Sequence, residues 1–468
     1  MKRADNDLVV LVKECGEYEP DKIRLMVLEG MKTLGYSPRG KIALKPNVVC
    51  AFDPKFSSVH AYTHPNFLSG VVRAVSEQEG VSRIAITETP AVGNPSPVSF
   101  HFAGYTKLVR ELKKELKKPV RLVGMDEELR KEVFVGGAVH HQVRLARSFA
   151  LADSRIYLPK LKGHCVSRMT GAVKLNIGIL SFDDRSVRHD FLLDQKIVDL
   201  LGVGYPDFVV MDAITIGVGN EALPLPRKLG LILMGKNPLA VDLVASRLLG
   251  MRGEVDVPYL ALAIKNGYKP ASLEEVKLIG DAESERDLER FAERVKPYDD
   301  EFYRWQDVNK ELERMGSPLR LYFGPYSDKG EEKCETGCVM GLKMYLAFLE
   351  AYAGVEAFAK AKPGIFVIGK IKEEIDAKGA NVFIFGSCSS ARILNPGKVV
   401  KINKCFTTAS DMFLIVGNRT GIKSPFFDPR FLSQYLSYLL LSIGKKLVNG
   451  RYLQDIAYFA SQGLFRKI

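Results

Sequence analysis

Residues 155–178 read RIYLPKLKGHCVSRMTGAVKLNIG, an apolar run that continues directly into a segment rich in cationic side chains. The apolar half is typical of a buried β-strand. In the second half, lysine, arginine and histidine are interspersed with apolar residues around a Thr170-Gly171 pair. The stretch is therefore either a solvated surface connection or the wall of an anion-binding site. Polar residues at the ends of the neighbouring strands would favour the second interpretation.

The same order of elements recurs through the first 250 residues: a short aliphatic run, a polar turn, and then a segment with helical periodicity. The predicted strands are 41–48, 83–90, 121–126, 155–162, 207–214 and 229–235. Buried strands that alternate with helices predict an α/β fold with a mostly parallel sheet flanked by helices.

Polar residues follow several of these strands at equivalent positions. Active groups of parallel sheets collect just beyond the carboxyl ends of the strands. The polar residues at these ends are Lys45, Asn47, Glu88, Lys160, Lys162, His164 and Asp212. Agreement among many positions is better evidence than any one of them, so the sequence predicts a site along this edge of the sheet.

The composition limits the class of protein. A chain of 468 residues is too long for one ordinary core and predicts two or three domains. With 46% hydrophobic and 26% charged residues, the chain is typical of a folded soluble protein rather than a disordered one. The net charge of +12 is compatible with nucleic acid, anionic lipid or phosphorylated small molecules, but no basic arm or RNA-binding motif selects among them.

Targeting signals and cysteine usage predict the compartment. No secretory signal is visible, and no run reaches about 18 apolar residues, so we expect a cytoplasmic protein that is at most peripheral to a membrane. Seven cysteines without a secretion signal favour free thiols and metal ligation over a disulfide framework. Abundant Lys and Glu with few Gln fit a thermophile, in which intracellular disulfides occur, so a disulfide stays an alternative.

The chain changes character twice beyond the first α/β region. Residues 1–280 are predicted to form the α/β domain with a polar cationic pocket, and 281–330 a charged helical linker. Residues 331–425 are predicted to form a smaller α/β domain, and 426–468 an amphipathic helical tail. Such a tail packs on its own domain, joins subunits into a homo-oligomer, or lies on a membrane surface.

Four cysteines of the smaller domain are predicted to converge. Cys334 and Cys338 lie at the start of a predicted helix, whereas Cys388 and Cys405 each end a predicted strand. Helix N-termini and the carboxyl ends of parallel strands meet at one rim, where amides also stabilise thiolates. Four such ligands suit a [4Fe–4S] cluster, with zinc as the alternative.

The cationic stretch predicts an anion-binding wall. Lysines beyond a strand, followed by Thr-Gly, suit phosphate or carboxylate binding through ammonium groups and backbone amides. No Walker loop and no G-x-G-x-x-G motif is present, and GVGNEALPLP (217–226) is only a weak glycine-loop signal. The predicted anion-binding residues are Lys45, Asn47, Lys160, Lys162, Thr170, Gly171 and Lys174.

Three residues are the candidates for catalysis. Asp212 and Glu88 would act as bases or bind a divalent cation, although an aspartate at a strand end is equally suited to capping the next element. His164 is the candidate acid–base or ligand residue, and Lys162 and Lys174 are expected to lower its pKa and keep it neutral.

Several motifs resemble a known family. KPNVV (45–49), LPKLKGHCVSRMTGAVKLNIG (158–178), IGVGNEALP (216–224) and NPLAVDLVASRLLGM (237–251) occur in order. Together they resemble the prokaryotic domain of unknown function 362 family over about residues 40–270, with a specific Lys-x-His…Thr-Gly-x-x-Lys core. The resemblance implies an α/β fold and an associated iron–sulfur module, but it implies no substrate.

This chain departs from the family pattern in two places. The C-terminal cysteines do not follow the ferredoxin spacing. The resemblance therefore implies a cluster, but the spacing of these cysteines does not establish it. Where the family has adjacent Lys-Asn, this chain has Lys174-Leu175-Asn176. The resemblance therefore does not assign a role to Asn176. The rim also distantly resembles that of the nickel-pincer lactate racemases, and we base no prediction on this.

These observations give three functional hypotheses. The first is an iron–sulfur or other metal-cluster protein, a redox enzyme that acts on an anionic small molecule and exchanges electrons with a partner protein. The second is a Mg²⁺- or Mn²⁺-dependent transferase or hydrolase without redox chemistry. The third is a protein whose basic surface binds nucleic acid or an anionic membrane.

Overall fold

Buried aliphatic runs in the first 280 residues pair into one ten-stranded sheet. The computed structural model describes residues 7–49, 51–53, 60–186, 192–295 and 304–461. The strands of the first unit, together with a separate β5–β6 hairpin, are β1 (Val9–Glu14), β2 (Gly40–Pro46), β3 (Val81–Glu88), β4 (Val120–Gly124), β5 (Arg130–Phe134), β6 (Gln142–Ala146), β7 (Ser154–Leu158), β8 (Lys160–His164), β9 (Arg168–Thr170), β10 (Phe208–Val218), β11 (Leu225–Gly235) and β12 (Lys277–Gly280).

Helices follow most of these strands. Those of the first unit are α1 (Pro20–Thr33), α2 (Pro65–Glu77), α3 (Ser96–Phe102), α4 (Tyr105–Glu115), α5 (Arg147–Ala150), α6 (Phe182–Ser186), α7 (Leu193–Asp199), α8 (Leu201–Gly204), α9 (Pro238–Leu248), α10 (Gly253–Asp256), α11 (Pro258–Lys265) and α12 (Glu285–Ala292). A 3₁₀ helix spans Lys174–Ile179, directly after the cationic stretch.

The main sheet is mixed and mostly parallel, as the sequence predicts. Its order is β12-β1-β11-β10-β7-β2-β3-β4. The strand β8 pairs with β10 farther along that strand than β7 does, and β9 pairs with β8. The neighbours β7, β2, β3 and β4 are parallel, whereas β11 runs antiparallel to both β1 and β10. The short connection from β10 to β11 requires this reversal, since a parallel crossover needs a much longer segment.

Hydrophobic cores lie on both faces of this sheet. Alternate residues of β10 show this, because Val209 and Met211 belong to one cluster and Phe208 and Val210 to the other. A strand covered on both faces has no polar side, which explains its continuous apolar sequence. The polar residues are therefore concentrated where the strands end.

A second, four-stranded sheet follows, and all its strands are parallel. Its elements are α13 (Val308–Arg314), β13 (Leu319–Phe323), α14 (Cys338–Ala353), α15 (Val355–Ala359), β14 (Gly364–Asp376), β15 (Asn381–Leu394), β16 (Val399–Ile402) and α16 (Ala409–Ile415). The region predicted as a helical linker contains β13, which pairs with β14. The division of the chain at residues 280, 330 and 425 stays a prediction.

Two helices complete the described chain, α17 (Pro429–Val448) and α18 (Arg451–Ser461). They pack on the first unit, where Tyr435 Oη donates to the Gly93 carbonyl at 2.6 Å and Lys445 pairs with Glu127 at 3.1 Å. Packing on the chain itself is thus one of the roles expected for the tail. Among the described residues, no helix combines the length and apolar character that a membrane span needs.

A buried carboxylate anchors the cationic stretch to the core. Asp242 of α9 accepts hydrogen bonds from the amides of Ala172 at 2.6 Å and Val173 at 2.9 Å. A Cβ on Gly171 would collide with this carboxylate, so glycine is required there. Burial raises the pKa of Asp242 to about 7, although the two amide bonds oppose the shift.

Removal of this anchor tests its contribution to stability. We expect Asp242→Ala to lower the free energy of unfolding by about 3 kcal/mol, since two buried amides lose their acceptor. Asp242→Asn is the matched control and should lose about 1 kcal/mol, because its carbonyl still accepts one bond. Urea denaturation measures both values, and equal losses in the two variants would contradict the amide-anchor role.

Candidate functional site

A cavity of about 190 Å³ lies where the carboxyl edge of the main sheet meets the second unit. The first unit contributes charged and polar side chains to its wall, and the second contributes residues next to two of the cysteines. The wall includes Lys45, Glu88, His164, Lys174, Arg185 and Glu221 from the first unit and Met340, Gly341, Met344, Phe406 and Ala409 from the second.

Lys45 and Glu88 form a buried ion pair on this wall. Lys45 Nζ lies 2.7 Å from Glu88 Oε1, and both side chains are almost fully buried. Burial lowers the pKa of Lys45 and raises that of Glu88, each against the attraction of the other. A Cβ at Gly178 would collide with both groups, so the glycine lets the chain pass close to the pair. Both groups line the cavity wall.

His164 lies at the end of β8 and is held by its own backbone turn. Its Nδ1 accepts hydrogen bonds from the amides of Val166 at 3.1 Å and Ser167 at 3.2 Å. Nδ1 therefore carries no proton, and the neutral ring has its proton on Nε2, which lies 3.5 Å from Glu221 Oε1. Burial lowers the pKa of His164 to about 3, and Lys174 and Lys162 contribute, so the neutral state expected from the sequence is confirmed.

Glu221 connects this histidine to the next loop. Its Oε2 accepts from the Cys165 amide at 3.2 Å. Burial acts to raise the pKa of Glu221, but His164, Lys174 and hydrogen bonds outweigh it and lower the pKa to about 2. Glu221 is thus a buried carboxylate that faces the cavity.

His164, Cys165 and Glu221 are a possible metal-binding group. Their candidate ligand atoms all lie within 4.8 Å of one another, and all three residues are buried. Burial raises the pKa of the Cys165 thiol well above its usual value, so a metal would have to displace its proton. The Nε2 proton of His164 would have to leave as well.

Lys174 differs from the buried lysines of this edge, because it is only partly buried. The structure gives its Nζ no hydrogen bond or ion pair with another described residue, and the side chain lines the cavity. Burial lowers the pKa of Lys174 to about 8, with Glu221 acting in the opposite direction. A partly buried ammonium group without a bonded partner favours an anion in front of it.

Arg185 adds a second cationic group to the wall. Its guanidinium donates to the carbonyls of Pro90 at 2.6 Å and Thr89 at 3.0 Å, while Nε has no hydrogen-bond partner in the described structure. Burial lowers the pKa of Arg185 to about 10, so the group remains charged at neutral pH.

Lys160 and Asp212 form a separate buried cluster. Lys160 Nζ lies 3.0 Å from Asp212 Oδ2, and Tyr18 Oη donates to Asp212 Oδ1 at 2.9 Å. The His64 amide donates to Asp212 at 3.1 Å, and the His64 ring stacks on Tyr18. This cluster is not part of the cavity wall, so the predicted catalytic residue Asp212 lies apart from Glu88 and His164.

The remaining predicted anion-binding residues contact the chain itself. Lys162 Nζ donates to the carbonyls of Ala61 and of Glu221, the latter at 2.6 Å. Thr170 Oγ1 donates to the Lys160 carbonyl at 2.9 Å. Asn47 lines the cavity, and its Oδ1 has no hydrogen-bond partner among the described residues. The structure thus brings together Lys45, Asn47, Glu88, His164 and Lys174 from the predicted set.

Cys338 is the first residue of α14, whereas Cys334 lies before that helix. Cys388 lies within β15 rather than at its end, and Cys405 follows β16 by three residues. A Cβ on Gly386, whose φ is +103°, would lie 3.1 Å from Cys338 Sγ and 3.6 Å from Cys388 Sγ. The Thr407 amide donates to Cys338 Sγ at 3.3 Å. Burial raises the pKa of Cys338, and Cys388 and Cys405 lie close enough to add to the shift. Cys334 lies four residues before Cys338 in the sequence.

Sequence reasoning did not select Glu221, Arg185 or Tyr18. The glycine-rich loop 217–226 signalled Glu221 only weakly, because many such turns occur between strands. Arg185 and Tyr18 had no signal at all, since each reaches its partners from a distant part of the sequence.

Comparisons with known proteins give similarity over about half of the chain or less. The family model described as "Domain of unknown function (DUF362)" matches residues 42–247. A thylakoid-associated protein of Synechocystis is 25% identical over 244 residues, which cover 51% of this chain and 71% of that protein. The apoprotein of lactate racemase from Thermoanaerobacterium thermosaccharolyticum aligns with a TM-score of 0.33 and 9% identity over 50% of this chain. That alignment spans only 56% of the racemase chain.

The buried Lys160–Asp212 pair allows a stability test. We expect Lys160→Met to lower the free energy of unfolding by about 3–5 kcal/mol, because Asp212 would remain buried without its cation. The double variant Lys160→Met/Asp212→Asn should recover part of the loss. Chemical denaturation measures both.

A surface ion pair supplies the control for this test. Arg24 and Glu77 lie 2.9 Å apart with both side chains partly exposed, so Arg24→Met should cost less than about 1 kcal/mol. A Lys160→Met loss as small as that of Arg24→Met would show that the buried pair is not a structural requirement.

Proposed function

From the premise that residues 42–247 form a DUF362 domain, we propose that the protein is an iron–sulfur redox enzyme that acts on a small anionic molecule. One observation carries the proposal. The same cavity is lined by Lys174 and Glu88 of the DUF362 domain and by Phe406, the residue after Cys405. A substrate held by the charged wall would therefore lie beside the cysteine rim.

Among the described residues, only His164, Cys165 and Glu221 bring three candidate ligand atoms within 4.8 Å of one another, so the four cysteines are not gathered to that distance. Two contacts of the cysteines support the proposed cluster. Sulfur atoms of Cys338 and Cys388 both lie near Gly386, whose missing side chain leaves space between them. An amide already donates to Cys338 Sγ, and such bonds stabilise thiolates and tune cluster potentials. Cys334, Cys338, Cys388 and Cys405 would hold the cluster. When bound, it would supply one-electron transfer to or from the cavity.

The charged wall would bind the substrate and handle its protons. Lys174, with Arg185 on the same wall, would attract the anionic group. Glu88 and Lys45 share a short contact of 2.7 Å, and their pKa values are shifted towards each other. This pair would deliver or accept the proton that accompanies electron transfer, and His164 would keep Glu221 in place through Nε2–H.

The contacts favour this proposal over Mg²⁺- or Mn²⁺-dependent chemistry. Glu88 and Asp212, the two carboxylates predicted for such a metal, each bond to a lysine ammonium group. A divalent cation would have to displace that lysine. Binding of nucleic acid or an anionic membrane by the basic surface stays a separate prediction.

Iron content tests the cluster directly. Anaerobically purified protein should be coloured and contain about four iron and four sulfide per chain, as a [4Fe–4S] cluster requires. Cys388→Ser should lose most of the iron and the visible absorption. Cys15→Ser is the matched control, since Cys15 is a buried cysteine of the first unit and should leave the iron content unchanged. Zinc in place of iron, or a colourless protein without metal, would refute the redox proposal.

The pH dependence of anion binding tests Lys174. With a pKa of about 8, the ammonium form that attracts anions prevails below pH 8 and is lost above it. The affinity for acetate or formate, whose charge is constant in this range, should therefore fall about twofold from pH 7 to 8 and about fivefold from pH 8 to 9. NMR titration at pH 7, 8 and 9 measures this fall.

Substitution of Lys174 provides the complementary result. Lys174→Ala should bind these anions at least about tenfold more weakly at pH 7, and its affinity should not change across this range. Lys13, an exposed lysine paired with Glu29, serves as the control position. The same pH profile in wild type and Lys174→Ala would rule out Lys174 as the anion-binding group.

A further inference from the structure

A second cavity adjoins the one that contains Lys174. Its volume is about 80 Å³, and its wall shares Ala91, Val92, Met344 and Ala409 with the wall of the first cavity. The two spaces are therefore neighbours separated only by these four residues. We call the second space the aromatic chamber.

The aromatic chamber has a different chemical character from the charged cavity. Phe348, Phe413, Phe426 and Phe431 line it, and their rings pack in sequence. Ring centroids are 6.1 Å apart for Phe348 and Phe413, 5.0 Å for Phe413 and Phe426, and 5.1 Å for Phe426 and Phe431. None of the described residues that line the chamber carries a charge. A small polar anion would make no use of such a space.

The outer end of the chamber lies under α17. Phe431 and Tyr435 of this helix line the chamber, whereas Leu432, Leu436 and Leu440 of the same helix are exposed. No charged residue occurs between Arg430 and Lys445 in the sequence. Apolar side chains therefore extend from the wall shared with the charged cavity, around the chamber, to α17, whose exposed residues include these three leucines.

We propose that the molecule bound in the cavity is an amphipathic anion, with its charged headgroup at Lys174 and a hydrocarbon or aromatic tail in the aromatic chamber. This inference rests on the proposed function, because it uses the same anion-binding wall. It assigns the substrate class: an acid with an apolar tail of several carbons. Such a molecule satisfies the partly buried ammonium group and fills the adjoining apolar space at once.

Chain-length dependence of binding tests the proposal with simple carboxylates. Each methylene that moves from water into an apolar site improves affinity about fourfold. Octanoate, with four more methylenes than butanoate, should therefore bind about 250-fold more tightly. Isothermal titration with the full-length, cluster-containing protein at pH 7 measures both affinities. Equal affinities would overturn the proposal.

Blocking the chamber distinguishes it from the exposed leucines of α17 as the tail-binding site. Ser410 lines the chamber and not the charged cavity, so Ser410→Phe should remove most of the octanoate advantage and leave butanoate binding unchanged. Phe348→Trp fills the chamber from α14 and provides a second variant if Ser410→Phe folds poorly. Ala351→Leu, at an exposed position of α14, is the matched control and should bind both acids like the wild type.

The results separate this inference from the proposed function. An octanoate advantage that survives both chamber variants would mean adsorption on the outer surface and would overturn the assignment of the chamber. Butanoate binding that depends on Lys174, without any gain for octanoate, would overturn the inference and leave the proposed function intact. Loss of Lys174 dependence for both acids would refute the two together, whereas the iron content tests the cluster independently.

Discussion

The cost of burying charge at the carboxyl edge of the main sheet constrains the rest of the structure. Lys45, Lys160 and Lys162 are all buried, and each has a carboxylate or carbonyl partner that the fold must supply. Loops from distant parts of the chain are held where these partners are needed. Lys174, on the same edge, differs from these three lysines, since no other described residue bonds to its Nζ and its side chain lines the cavity.

The cavity depends on both units of the chain. The first unit contributes charged and polar residues to its wall, while the second contributes apolar residues that lie close in sequence to Cys338 and Cys405. Lys343 of α14 also donates to the Cys165 carbonyl at 3.3 Å, which ties the cysteine-bearing helix to the cationic stretch. In the proposed function, this contact between the units would place the bound substrate a short distance from the cysteines, as electron transfer requires.

Much of the fold follows from local sequence patterns. Continuous apolar strands predicted the mostly parallel sheet, because this signal needs only neighbouring residues. The strand β13 was missed because a short run between a charged helix and a Gly/Pro turn carries little periodic signal. Glu221 and Arg185 were missed because their partners are far away in the sequence.

The sequence by itself determined that the chain is an α/β protein with cations and acids at the ends of its strands. Only the tertiary structure decided which of these groups face a common space. Lys160, Lys162 and Lys174 lie within fifteen residues of one another and look equivalent in sequence. Two of them bond to Asp212 and to the Glu221 carbonyl, whereas the third faces the cavity. The difference arises because partners for a buried charge come from chain folding, which no local pattern encodes.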